Sequence, residues 1–550
     1  TVIIWVGLLV GGVLSASQLQ LTPGWEIRGS ESAEAAVLLE DEILGTSPAS
    51  ETIVVQSETL TVDDPGYRAF IEELTGEIRA LPEGIGSVTN YYETGEEGFV
   101  SQDRRTTLLP VTLTGDVVEA VDTVAPLVEL LEEHDGENGF RALTAGDGSI
   151  WHDAAHQFEK DIARGEGIGL PVALLVLVIV FGAGVAAGVP VIAGILGILL
   201  SVGMTAIASQ FIGIDTNTVS MITMIGLAVG IDYTLFIVER FREERAHGVE
   251  KVEAIVAAGS TASRAVLFSG ITVIIALAGL MIVPANMFVG MSIGAITVVI
   301  AAVAVALTLL PAVLSLLGDR INWLTLPGRK MKPNASPDSG FFGKTTSIVM
   351  RHPWASAIAS ITILLAMAAP FARINVGSLG ISTFPEDLQS VQAFEVLDEK
   401  FSAGFIDPAE VVLEGDADSP EVAAALEDFR ARVAEDASFA TVSDLTVNDA
   451  GTHAYFTVLV NGDSTSEEAL DAVRRLRSEH VPAAFGDAPV TVLVGGGTAA
   501  NIDYVDTMNQ YLPIVIGFVL TLSFVLLLMV FRSIVIPVKA IVMNLLSVGA

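Results

Sequence analysis

Asp232 is a carboxylate in the middle of an apolar run. No charged residue lies between Asp215 and Asp232, and the next charge is Glu239. A stretch of this length and apolarity reads as a membrane-spanning helix, which needs about 20 residues to cross the hydrocarbon. A charged side chain at the centre of such a helix costs about 2.5–3.5 kcal/mol and is tolerated where it faces protein or water. Acids so placed relay protons or bind ions. The competing reading is a carboxyl group hydrogen-bonded between packed helices, with no transport role. Tyr233, the next residue, points about 100° away around a helix and is set to hydrogen-bond a facing helix rather than Asp232. Phe236 is four residues on, stacked over the Asp232 face as a hydrophobic seal. Gly226 and Gly230 have the small-xxx-small spacing that lets membrane helices approach closely, a packing role rather than chemistry. Ser269, in the next apolar segment, offers a hydroxyl to the relay or to its own helix backbone.

Other candidate chemistry is thinner. His152 and His156 stand at i, i+4 on a helix, with Glu159 three further on. The spacing suits zinc, but no further ligand is evident, so a surface helix face is the better reading. Gly495-Gly496-Gly497 follows a strand and precedes a helix but lacks the lysine of a phosphate loop, and reads as a turn. Arg474, Arg475 and Arg477 read as a solvated helix face, with an anionic headgroup as the alternative partner. No residue set calls for a cofactor, a resident metal or enzymatic catalysis. There is no cysteine, hence no disulfide framework and no thiolate metal site.

The elements that position Asp232 follow from hydropathy. Hydrophobic residues make up 51% of the 550, and mean hydropathy is +0.60. No charge occurs from Gly167 to Ile214 or from Ala265 to Gly318, and each run accommodates two spans and a tight turn. Gly182, Gly184, Gly188 and Pro190 punctuate the first run; Pro284 and Asn286 punctuate the second. Shorter spans fit Val2–Ser15, Trp354–Phe371, Tyr511–Phe531 and a last segment starting near Ile534. Without a signal peptide or an initiating Met, the chain reads as a piece of a longer protein.

Charge sets the expected orientation. Leu21–Gly167 and Ala372–Tyr511 hold most of the acidic residues behind the net charge of −37. The short connectors are basic: Arg240, Arg242, Arg245, Lys251 and Arg264 in one, Arg320, Arg329, Lys330, Lys332, Lys344 and Arg351 in another. Cationic short loops stay cytoplasmic, which places both acidic segments outside. Domains so acidic offer no footprint for nucleic acid.

The two acidic segments share one order of elements. The first runs strand ETIVVQSE, helix DDPGYRAFIEELTGEIRAL, strand SVTNYYE, strand RRTTLLPVTLTG, helix AVDTVAPLVELLEEH, strand FRALTAG. The second runs AEVVLEG, SPEVAAALEDFRARVAED, FATVSDLTV, HAYFTVLVNG, SEEALDAVRRLRSEHV, VTVLVGG. Both are βαββαβ, the ferredoxin-like pattern. Amphipathic helices, Ser149–Glu166 and Ala499–Tyr511, lead into the following spans. Leu199-Leu200-Ser201-Val202-Gly203 recurs as Leu545-Leu546-Ser547-Val548-Gly549. At that offset a counterpart of Asp232 falls beyond the last residue. The expected fold is therefore a multi-pass α-helical membrane protein with two outward α+β ferredoxin-like domains and an internal two-fold repeat. Its expected parts are a first span (1–20), an outward domain (21–167), a five-span bundle (168–316), a cytoplasmic linker (317–351, flexible over Leu324–Thr346), a span (352–371), a second outward domain (372–511) and final spans (512–550).

This organisation resembles the resistance–nodulation–division superfamily. The motif Gly230-Ile231-Asp232-Tyr233, followed by Phe236 and Arg240-Phe241-Arg242-Glu243-Glu244, resembles its mycobacterial large membrane protein (MMPL) branch, as does Arg264-Ala265-Val266-Leu267-Phe268-Ser269-Gly270. The resemblance implies that Asp232 and Tyr233 carry protons and that the chain belongs to an exporter of lipids or other hydrophobic compounds in the cytoplasmic membrane, driven by the proton-motive force. It leaves monomer and trimer both open. Two rivals remain: a SecDF-like component assisting protein translocation, and a non-transporting lipid-sensing scaffold. Two matched outward domains argue against the first, and an intramembrane acid argues against the second.

Overall fold

The structure, a computed structural model, describes all residues except 22–26, 46–48, 82–83, 116, 326–340, 371–380, 382–383, 402–407, 463 and 549–550. Most of the expected flexible linker, Leu324–Thr346, lies outside the described residues. The chain forms two compact units: residues 1–25, 164–376 and 508–550 make one, and 26–163 with 377–507 make the other.

In chain order the principal elements are α1 (Val2–Ala16), α2 (Glu31–Leu38), β1 (Ser50–Ser57), α3 (Pro65–Ala80), β2 (Ile85–Val88), β3 (Thr106–Leu113), α4 (Ala125–His134) and β4 (Phe140–Gly146). The helices α5 (Asp147–Phe181), α6 (Gly184–Ala208), α7 (Thr218–Ala246), α8 (Lys251–Ala278), α9 (Asn286–Ala304) and α10 (Leu310–Leu317) follow. After them come α11 (Phe341–Arg351), α12 (Pro353–Ala368), α13 (Gln389–Lys400), β5 (Ala409–Gly415), α14 (Pro420–Glu435), β6 (Phe439–Val442), β7 (Thr446–Val447) and β8 (His453–Val460). The last are α15 (Glu467–Arg475), β9 (Val490–Gly495), α16 (Gly497–Phe531) and α17 (Val535–Val548). Among the described residues six helices are long and apolar enough to cross a membrane, and α11 with α12 forms a further candidate bent by 108°. The protein is a multi-pass membrane protein.

The first unit is a helical bundle built on close approach of small residues. A side chain at Gly230 of α7 would meet the Gly194 backbone of α6 at 2.6 Å, and one at Gly226 would run into Ile198 and Val298. In a membrane, where apolar burial gives no net drive, such contacts and van der Waals packing hold helices together. Ser201, Thr205 and Thr297 add a buried hydroxyl cluster between α6 and α9, at 2.9 and 3.0 Å. Between α9 and α10 the helix opens into a π turn, Val305–Leu309, with the Leu310 N–H donating to the Val305 carbonyl. Pro311, which has no N–H to give, begins the next turn, and the wider turn absorbs it. A 3₁₀ turn, Gly318–Asn322, follows where the sequence suggested the start of a linker.

The second unit contains two sheets. The first has the order β2-β3-β1-β4 and the second β6-β8-β5-β9, with β7 also on β8; every pairing is antiparallel. Each sheet buries an aromatic core under its helices. Phe70 stacks on Phe140 at 4.1 Å in the first, and Phe429 meets Phe456 edge-on at 5.2 Å in the second. Full burial of one such ring contributes about 1.5–3 kcal/mol. The expected strand SVTNYYE stops at Val88, because Asn90 caps a short helix, Tyr91–Thr94, by accepting from the Glu93 N–H. FATVSDLTV divides into β6 and β7. The sequence reading had no counterpart for α2 and α13, and both cross over. Helix α2, from the first acidic segment, packs against β9 of the second; α13, from the second, lies on β4 of the first.

Candidate functional site

The helix α7 places Asp232 through its heptad-like faces. Tyr233, Thr234, Ile237, Val238 and Phe241 are buried, while Met224, Ala228, Asp232, Phe236 and Glu239 form an exposed stripe at spacings of three and four. Asp232 is thus uncovered by the described residues, and Phe236 shares its face. Tyr233 turns inward instead, and its hydroxyl lies 3.4 Å from the Ser269 hydroxyl of α8. The neighbouring Gly270 leaves the space the ring needs: a side chain there would meet Val303 at 2.5 Å and Tyr233 at 3.9 Å. Gly226 and Gly230 seat α7 against α6 and α9, so their part in the site is to bring the backbones together. Thr234 stays on its own helix, its hydroxyl donating to the Gly230 carbonyl. What the arrangement supplies is a carboxyl group on an open helix face and, a residue away, a phenol–hydroxyl pair inside the bundle.

The basic motif after Asp232 fixes the end of α7. Arg242 is buried and donates to the Asn322 side chain and the Phe181 carbonyl, both at 2.9 Å, with its guanidinium over the Phe181 ring at 5.3 Å. Arg245 pairs with Asp319, and Arg240 with Glu243 and Glu244. Arg242 was legible only as part of a charged loop; a cation buried among carbonyl groups leaves no mark in the sequence.

The remaining sequence candidates lie among the following contacts. His152 donates through Nδ1 to the Val121 carbonyl at 2.9 Å, and its ring meets His156 at 4.4 Å. Among the described residues no group of three or more His, Asp or Glu side chains is disposed to hold a metal ion. Gly496 has φ +87°, and a side chain there would strike the Pro408 carbonyl, so the triple glycine serves a tight turn. The arginine trio is not a uniform solvated face. Arg474 pairs with Asp471 at the surface, but Arg475 binds Asp436 at 3.0 Å, and Arg477, mostly buried, binds Asp503 at 2.6 Å and Glu31 at 3.4 Å.

One buried acid escaped the sequence reading. Glu51 on β1 is 1% exposed and accepts from the Thr144 hydroxyl, the Ser149 N–H and the Ser149 hydroxyl, each at 2.7 Å. Burial pushes its carboxyl up to about 7, against the lowering effect of those hydrogen bonds. It shares a strand face with Ile53 and Val55, and that period of two was the signal available.

Comparison with known proteins adds the following. The MMPL family profile matches residues 25–356 and 382–550. The chain is 30% identical over 99% of its length to the mycolic acid-containing lipids exporter MmpL11 of Mycolicibacterium smegmatis, covering 58% of that protein. It is 26% identical over 98% of its length to the trehalose monomycolate exporter MmpL3 of Mycobacterium tuberculosis, covering 61% of it. It is also 30% identical over 74% of its length to the heme uptake protein MmpL11 of the same organism, covering 42% of it.

Proposed function

The chain belongs to the MMPL family, and on that premise we propose that it forms part of a proton-motive-force-driven exporter of lipids or other hydrophobic compounds. The observation that carries the reading is the placement of Asp232 midway along an apolar span, on an open face, with the Tyr233–Ser269 pair directed into the bundle behind it. A carboxyl group in such a setting loads and releases a proton according to whether water or protein meets it. One proton moving down 100 mV releases about 2.3 kcal/mol, enough to bias a conformational cycle step by step. In this proposal Asp232 is the proton carrier, Tyr233 and Ser269 its hydrogen-bonding support, Phe236 the seal, and the open stripe the seat of a further helix of the complete transporter. The acidic unit lies outside, and its two sheets are ferredoxin-like repeats; the matching β2-β3-β1-β4 and β6-β8-β5-β9 orders support that. A lipid substrate is favoured because two relatives are named as exporters of mycolic acid-containing lipids and trehalose monomycolate.

The test is lipid efflux by the full-length protein at matched membrane levels. Asp232→Asn keeps size and hydrogen-bonding capacity but cannot exchange a proton, so export stops while insertion survives. Asp232→Glu retains partial export. Undiminished export by the Asn variant, or export indifferent to collapse of the proton gradient, refutes the relay.

A further inference from the structure

We propose that the groove between α6 and α10 holds one acyl chain of an anionic phospholipid of the inner leaflet, with its phosphate on Arg320. The groove has a volume of about 390 Å³, and its walls are apolar throughout, including Val185, Gly188 and Ile192 from α6 and Leu309, Leu310 and Leu317 from the opposite side. The π turn at Val305–Leu309 lines it through Val305 and Leu309, just before Pro311. Gly188 deepens it, because nothing lies within 4 Å of where a side chain would start. One flank is closed by Trp5, which packs with Ala193, Val305 and Leu309 and is held by its indole N–H donating to the Thr308 hydroxyl at 2.9 Å. The other flank is open to the bilayer, where Ile192 and Leu316 are exposed.

Length and charge select the occupant. The groove follows α6 from Val185 to Leu196, about 16 Å at 1.5 Å per residue, or roughly half of the ~30 Å hydrocarbon layer. That matches the reach of one leaflet. At its Val185 end the Val185 N–H donates to the Trp323 carbonyl at 3.4 Å, and the Arg320 guanidinium sits 5.3 Å over the Trp323 ring. The surrounding cations are engaged: Arg245 with Asp319, Arg242 with Asn322, Lys251 with the Ser315 carbonyl at 3.2 Å. Among the described residues no carboxylate pairs with Arg320. An exposed arginine beside an exposed tryptophan, at the polar end of an apolar slot, presents the chemistry of a phospholipid headgroup site. The inner-leaflet assignment rests on the orientation proposed above; the lipid site itself does not depend on proton-driven export.

Native mass spectrometry of the purified full-length protein tests this, with phosphatidylglycerol and phosphatidylcholine of equal chain length offered in turn. The wild type is expected to keep one phosphatidylglycerol more than Gly188→Leu, which fills the slot, and to bind it at least tenfold tighter than Arg320→Gln, an exposed and fold-neutral change. Arg474→Gln, far along the sequence and exposed, should match the wild type. Equal phosphatidylglycerol occupancy in wild type and Gly188→Leu overturns the groove. Equal retention of both lipids, or an Arg320→Gln variant with wild-type affinity, overturns the anionic headgroup. A dimer that sheds lipid as it forms makes a second copy the occupant and also overturns the proposal.

Discussion

Ser390 and Asp153 are joined twice: the Ser390 N–H at 3.0 Å and its hydroxyl at 2.6 Å both donate to one carboxylate oxygen, across 237 residues of sequence. Ser32 and Asp503 repeat the arrangement across 471 residues, at 3.0 and 2.5 Å. Each serine opens a crossing helix, α13 or α2, and each aspartate stands on the helix that follows the host sheet. The two latches differ in one respect. Asp503 is also held by Arg477, itself bound to Glu31 and the Val494 carbonyl, whereas Asp153 forms no ion pair among the described residues.

That difference predicts unequal costs. Asp503→Asn leaves a largely buried guanidinium short of its partner and should destabilise the sheet-bearing unit by about 3 kcal/mol. Asp153→Asn should cost about 1 kcal/mol, the net worth of a hydrogen bond. Thermal unfolding of both variants in the full-length protein checks the order; equal losses would remove the distinction.

Glu51 should make stability depend on pH. Its carboxyl is raised from 4.5 to about 7 by burial, so the contribution is fully present below pH 4.5 and is lost as pH rises through about 7. Above that, the wild type should have lost roughly 3 kcal/mol that Glu51→Gln retains. Denaturation midpoints across this range measure it, and parallel pH profiles would count against the assignment.

His134 acts with the same sign. Burial lowers its pKa, but hydrogen bonds to Glu77 at 2.6 Å and Glu137 at 2.8 Å, with their charges, outweigh that and raise it above 6.5. The clip joining α3 to α4 is therefore intact below pH 6.5 and weakens as pH rises past the folded-state value. His134→Gln should flatten the upper part of the stability profile, read most directly by amide exchange in α4.

Close packing at Gly230 is testable by size. Gly230→Leu drives a side chain into the Gly194 backbone and should cost about 1–3 kcal/mol of bundle stability. Gly169→Ala, at a position with nothing within 4 Å, should be neutral or slightly stabilising. Detergent-solubilised melting temperatures decide it.

Orientation can be read by labelling, since the chain has no cysteine. Ser87→Cys and Ala423→Cys should react with an impermeant reagent applied to intact cells, and His247→Cys should not. Labelling of position 247 from outside would reverse the topology.

The spans were legible because long uncharged runs have one physical solution in a bilayer. Asp232 could be singled out because it breaks such a run, and Tyr233 and Ser269 because they carry hydroxyls within otherwise apolar segments. The alternating strands of both sheets were legible for similar reasons, but not all their ends: Asn90 turns the second strand of the first sheet into a helix cap where the pattern ran on, and FATVSDLTV is two strands rather than one. Helices α2 and α13 were not legible, because their apolar residues are few and owe their burial to strands hundreds of residues away. Arg477 misled for the same reason: three nearby arginines look like a solvated face until Glu31 and Asp503 are brought alongside.

The crossed helices also impose an order in time. The outer face of the first sheet, with Val54, Leu108 and Leu143, is covered by Ala393 and Leu397 of α13. At about 5–20 residues per second of synthesis, those covering residues emerge on the order of tens of seconds after the sheet they protect. Throughout that interval the nascent sheet carries a bare apolar face, and the first half cannot finish folding before α13 has been made. Such a chain depends on something to shield it while it waits, and a ribosome stall between Gly146 and Gln389 would strand it there.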